Sequence, residues 1–216
     1  MSDREKLVDI PVEGVRLEGM LAIPEGAEGI VLFAHGSGSS RHSPRNNYVA
    51  EVLRRAGLAT LLMDLLTREE DVDYETRFDI GLLAQRLDGA SRWVAAEEKT
   101  KKLRQGYFGA STGAAAALKS AASAGEAIGA VVSRGGRPDL AMESLPFVKS
   151  PTLLIVGGHD ELVIDLNRKA YEKIDAEKEM VIVPGATHLF EEPGALEEVA
   201  KLAARWFKSH LKPLPV

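Results

Sequence analysis

The feature that most constrains this chain is a series of short, continuous apolar runs separated by helix-length segments. Ile30–Ala34, Leu58–Met63, Ala127–Val132, Thr152–Val156 and Met180–Val183 are each four to six residues long and have no polar alternation to speak of. A strand that is apolar on both sides needs cover on both faces, which a parallel sheet sandwiched between helices supplies. Gln105–Phe108 reads as a further strand. The intervening stretches suit the helices: about 48–56, then 76–98, where Phe78, Ile80, Leu82, Leu83, Leu87, Trp93 and Val94 recur at roughly a helical period. Further helices are predicted over the small-residue stretch 111–122, over 162–174 and over 194–208. At the N-terminal end, Val8–Val12 and Val15–Ile23 flank a Glu-Gly turn and predict an antiparallel hairpin at a sheet edge. Strands alternating with helices define an α/β architecture, and its sites lie at the carboxyl ends of the strands.

The length of 216 residues fits a single domain over 1–216. A net charge of −5 with no gathered Lys/Arg face argues against a nucleic-acid partner. The chain has no cysteine, so it has no disulfide, no thiolate metal site and no cysteine nucleophile. Its five histidines are scattered without ligand spacing, so neither a metal nor another cofactor is expected. The polar stretch Met1–Leu7 has no apolar signal core, and no run approaches the roughly 20 apolar residues of a membrane span. The expectation is a cytoplasmic protein acting on a small molecule, with no membrane partner.

Gly109-Ala110-Ser111-Thr112-Gly113 follows the Gln105–Phe108 strand and opens the next helix. A nucleophile on a sharp strand-to-helix turn needs small neighbours so that strand and helix can approach, and these are small. The turn also presents the Ser111 hydroxyl at a helix N-terminus, which favours developing negative charge. A serine needs a general base. His188, in Gly185-Ala186-Thr187-His188 between the last strand and the last helix, is the best placed. His42, His159 and His210 read as solvated, and His35 as structural. The orienting acid should follow an intermediate strand. Asp160 in Gly157-Gly158-His159-Asp160 does so, with Glu161 as its rival and Asp139 a weaker one. The chain order Ser111, Asp160, His188 is that of the α/β-hydrolases. Donors for an oxyanion are expected from the backbone N–H of Thr112 and of Ser37 in His35-Gly36-Ser37-Gly38, with Gly36 as a substitute.

With these motifs, and with Ser133–Leu140 and His188–Gly194, the chain resembles the dienelactone hydrolase-like branch of the α/β-hydrolase superfamily along essentially its whole length. The resemblance extends to small bacterial serine hydrolases sometimes fused to a phosphoribosyltransferase domain. It implies an eight-stranded, mostly parallel sheet with helices on both faces, and hydrolysis of carboxylic esters. Dienelactone hydrolases proper use a cysteine nucleophile where this chain has Ser111, so the lactone substrate does not carry over. The same three side chains would also serve a thioesterase, a peptidase or an acyltransferase, and a non-catalytic binding protein on the same fold is a further alternative. Arg134 has two readings: a fork for a substrate carboxylate, or a structural partner of Asp139 or Glu143. The connection of about 20 residues before Thr152 is too short for a separate lid domain, which favours short acyl groups.

Overall fold

The computed structural model describes residues 5–212, so the first four residues of the Met1–Leu7 stretch lie outside the described part. Among the described residues, eight strands form one sheet in the order β1-β2-β4-β3-β5-β6-β7-β8. The predicted hairpin is present: β1 (Lys6–Val12) and β2 (Val15–Ala22) pair antiparallel with Val12 opposite Val15. β1 is one edge, and β2 joins β4 (Leu58–Met63) antiparallel. From there the sheet is parallel through β3 (Gly29–Ala34), β5 (Arg104–Ala110), β6 (Ile128–Arg134), β7 (Thr152–Gly157) and β8 (Lys178–Val183). β3, β4, β6 and β7 are buried along their whole length, as the apolar runs within them require. β8 is the other edge of the sheet and only partly buried, so the run Met180–Val183 is not covered on both faces as the sequence reading expects.

Two cores lie on the two faces. On one, α2 (Ile80–Ala96) and α3 (Thr112–Ala124) pack Leu87, Val94 and Leu118 over Leu32, Leu61 and Val131. On the other, α1 (Pro44–Arg55) and α5 (Ala195–His210) pack Val49, Leu53, Val199 and Phe207 over Phe33, Leu62, Phe108 and Val132. In register, Phe33 lies beside Phe108 with ring centres 5.0 Å apart, which locks the strand that carries the elbow to its neighbour. α4 (Glu161–Lys173) follows β7.

Most ends shift by one to four residues from the sequence reading, and four of these differences bear on the site or its frame. α1 begins four residues earlier, because the Ser43 hydroxyl accepts the Asn46 N–H and Pro44 occupies the first helical turn. Phe78 does not belong to α2. It lies in a separate 3-10 turn, and Asp79 caps the helix by accepting the Leu82 N–H at 2.9 Å. β6 runs on to Arg134, which is therefore a strand residue and does not follow one. α5 runs through His210, whose ring is half-buried against Trp206 and bonds its carbonyl, so this histidine is not simply solvated. Residues 135–151 form two short 3-10 turns that bury Ala141, Leu145 and Val148 in the α3 face, and they build no separate lid. No helix among the described residues is long and apolar enough to cross a membrane.

Candidate active site

β5 ends at Ala110 and α3 starts at Thr112, leaving Ser111 alone to make the turn. It does so with φ 52°, a left-handed conformation that costs a non-glycine residue of order 1 kcal/mol or more. The surroundings hold it there. The Ser111 N–H donates to the Arg134 carbonyl at 3.3 Å, and its own carbonyl accepts the N–H groups of Ala114 and Arg137, both at 3.1 Å. A Cβ at Gly113 would overlap the carbonyl oxygens of Ala34 and His35, and one at Gly109 would overlap the backbone of Ala114. The small residues of this motif are thus a packing requirement of the turn.

The candidate acid and base, Asp160 and His188, come from the loops after β7 and β8, which are stitched together. Gly158 N–H donates to the Val183 carbonyl and His159 N–H to the Ala186 carbonyl, both at 2.9 Å. This pairing carries Asp160 to the His188 ring, and Nδ1 of His188 meets Oδ2 of Asp160 at 2.6 Å. The Asp160 side chain is mostly buried, while His188 keeps more of its ring open. Glu161, the rival acid, is exposed in the first turn of α4, and Asp139 is held by both forks of Arg137 at 2.8 and 2.9 Å. His42 and His159 are exposed.

Ser111 and His188 line one cavity of about 280 Å3, shared with Ser37, Arg45, Asn46 and Arg134. Among the described residues no hydrogen bond joins Ser111 to His188. Such a bond commonly tightens only when substrate is in place. The N–H of Thr112, at the first position of α3, has no partner within the helix, as at any helix start. The Ser37 N–H points at the same elbow but donates to the Thr112 hydroxyl at 2.9 Å. His35 is buried. Its Nδ1 bonds the Gly36 carbonyl and its Nε2 accepts the Leu65 N–H, which matches a structural role. Burial holds its pKa below the ordinary histidine value.

Arg134 lines the same cavity from the end of β6. It pairs with neither Asp139 nor Glu143: the first is taken by Arg137, and no ion pair with the second occurs among the described residues. Arg134 is 7% exposed, and its guanidinium donates to the Asn46 side-chain Oδ1 at 3.4 Å and lies 5.9 Å from the centre of the Phe190 ring. Its Nε has no partner, and the same is true of Nε of Arg45. Burial, and then the charge of Arg45, push the Arg134 pKa down to about 10. Arg45 reaches Glu191 at 2.8 Å on the exposed rim. Arg45 and Asn46 were not singled out in the sequence. The Ser-Pro helix start that brings them to the cavity was legible there.

A largely parallel sheet with an antiparallel hairpin at one edge, and a strand–serine–helix elbow on an inner strand, define the α/β-hydrolase fold. The chain belongs to the Dienelactone hydrolase family, whose sequence profile matches residues 17–213. It is 60% identical to a dienelactone hydrolase from Anabaena variabilis, with a TM-score of 0.95, over 97% of this chain and 99% of that one. Est1E from Butyrivibrio proteoclasticus shares the fold at 15% identity, with a TM-score of 0.81 over 94% of this chain and 98% of that one. Two Mycobacterium tuberculosis proteins that carry the name phosphoribosyl transferase are 57% identical over 96% of this chain. The chain spans about half the length of these curated relatives, 47% in each case.

Proposed function

We propose that residues 1–216 act as one catalytic domain, a serine hydrolase that cleaves small carboxylic esters through an acyl-enzyme. Ser111 attacks the ester carbonyl while His188 takes its proton and then returns it to the departing alcohol. Asp160 orients the imidazole and stabilises its cationic form. Water, deprotonated by His188, then releases the acid and restores Ser111. The backbone N–H groups of Thr112 and Ser37 are assigned to the oxyanion.

The observation that carries this reading is the 2.6 Å contact of Asp160 with His188, on a cavity shared with a positive-φ serine. The naming of the Anabaena relative as a dienelactone hydrolase supports ester chemistry. The cavity volume lies at the small end of ligand sites and suits a short acyl group. The buried, carboxylate-free Arg134 beside Ser111 is assigned to an acid group on the substrate, which would supply the charge partner the protein withholds. The test is a pre-steady-state measurement with p-nitrophenyl acetate. A burst of p-nitrophenol stoichiometric with enzyme is expected, and it should vanish in Ser111→Ala. A burst of equal size in that variant rules the reading out.

A further inference from the structure

The peptide group between Gly36 and Ser37 is gripped at both ends by side chains. Its carbonyl bonds His35 Nδ1 at 2.9 Å, and its N–H donates to Thr112 Oγ1, also at 2.9 Å. The His35 ring is itself fixed, because Nε2 accepts the Leu65 N–H at 3.1 Å. Both bonds are satisfied together only by the neutral ring with its proton on Nδ1. His35 and Thr112 are 7% and 3% exposed. The buried imidazole therefore holds this peptide from the sheet side and the buried hydroxyl from the elbow side, while the Ser39 N–H, which donates to the same Gly36 carbonyl at 3.1 Å, closes the turn around it.

Nothing in α3 itself calls for that hydroxyl. The helix continues Gly113-Ala114-Ala115-Ala116-Ala117, and alanine would form its first turn at least as well as threonine. A buried hydroxyl costs free energy unless it is bonded, and the bond this one makes among the described residues is to Ser37, 75 positions away in the chain. Thr112 is also the residue directly after Ser111, so the bond ties the glycine loop of β3 to the nucleophile turn.

We propose that Thr112 is a positioning residue for the oxyanion site, an inference that rests on the serine hydrolase reading above. In the resting protein its hydroxyl stands in for the oxyanion. It holds the Ser37 N–H turned towards the elbow, so this donor need not reorient during the reaction. As negative charge develops on the substrate oxygen, the N–H is shared with that oxygen, because a charged acceptor outcompetes a neutral hydroxyl. The backbone donors supply the stabilisation, and Thr112 sets where one of them points.

Thr112→Val keeps the branched shape and removes the acceptor, and Thr112→Ser keeps the acceptor. With p-nitrophenyl acetate, Thr112→Val should lower kcat by about 10- to 100-fold with KM changed less than about threefold, somewhat less than losing a whole oxyanion donor. The affinity of a trifluoromethyl ketone, whose adduct carries an oxyanion, should fall by the same factor. Thr112→Ser should recover most of both. Amide hydrogen exchange reads the clamp without reference to activity: the Ser37 N–H should be protected in wild type and in Thr112→Ser, and fast in Thr112→Val. A Thr112→Val enzyme with wild-type kcat, a loss confined to KM, or a Thr112→Ser variant as impaired as Thr112→Val overturns the proposal. A wild-type protein that hydrolyses no ester while Ser37 stays protected overturns the hydrolase reading, and the positioning role with it.

Discussion

Replacing Arg134 with methionine should make the protein more stable while damaging its action on acid-bearing esters. The guanidinium is buried on the cavity it shares with Ser111, with no carboxylate partner among the described residues, and its pKa is depressed to about 10. Against an ordinary value above 12, that drop is a penalty on the charged form of roughly 3 kcal/mol. Methionine fills most of the same space without the charge. It forfeits the 3.4 Å bond to Asn46 and the 5.9 Å approach to Phe190. Each of those is worth about 0.5–1 kcal/mol. The net is a gain of about 1–2 kcal/mol, or roughly 2–8 °C in Tm for a domain of this size. Replacement of buried charges by apolar residues has this sign in other proteins. The paired assay compares kcat/KM for p-nitrophenyl acetate and for the half-ester mono-p-nitrophenyl glutarate. Loss of a charged hydrogen bond to the acid group should lower the half-ester by about 10- to 100-fold and the acetate by far less. If Arg134→Met is destabilised by more than about 1 kcal/mol, or if both esters fall together, Arg134 is structural and the assignment is wrong.

Asp160→Asn should fold and lose about 10⁴-fold in kcat through the wrong imidazole tautomer, whereas Glu161→Gln stays within a few-fold; the reverse outcome would give the acid role to Glu161. Across p-nitrophenyl acetate, butyrate, octanoate and palmitate, kcat/KM should favour the two short esters, with no jump at the onset of micelles. In an open site each added methylene returns less than the ~0.8 kcal/mol of full burial, so a steady rise to palmitate would mean that a segment covers the site. Burial lowers the His35 pKa below its unfolded value of 6.5, so its contribution to stability is complete above that pH and is lost as pH falls through the folded value. Urea unfolding from pH 8 to pH 5 should therefore show a steeper acid loss in wild type than in His35→Gln, and an equal or shallower loss would contradict the buried neutral ring.

The parallel sheet was legible because strands buried on both faces leave unbroken apolar runs: Leu58–Met63 is β4 as read, and Thr152–Val156 is β7 short of one glycine. The elbow was legible because close approach of α3 to β5 and β3 demands small residues that the motif displays. The acid loop sits past such a strand, β7, whereas the base loop follows β8, a half-exposed edge strand whose short apolar run was still readable. What stayed hidden depends on side chains that meet across long stretches of chain. Residues 64–79 have no period to read, and their path is set by Arg86 reaching Glu70 at 2.6 Å and by Arg77 bonding Asp71. The isolation of Arg134 could not be seen because the local pair Arg137–Asp139 removes its nearest carboxylate. The start of α1 was written in Ser43-Pro44 but masked by the polar, glycine-rich loop before it. The grip of Thr112 on Ser37 joins residues 75 positions apart, and no spacing signals it.

The central claim is that Ser111 is the group that attacks substrate, and covalent labelling tests it most directly. Wild-type protein treated with a fluorophosphonate and digested should carry one equivalent of label on the peptide containing Gly109–Gly113, at Ser111. Ser111→Ala should carry none, and His188→Ala should label far more slowly. Label on a different serine, or unchanged labelling of Ser111→Ala, would contradict the account.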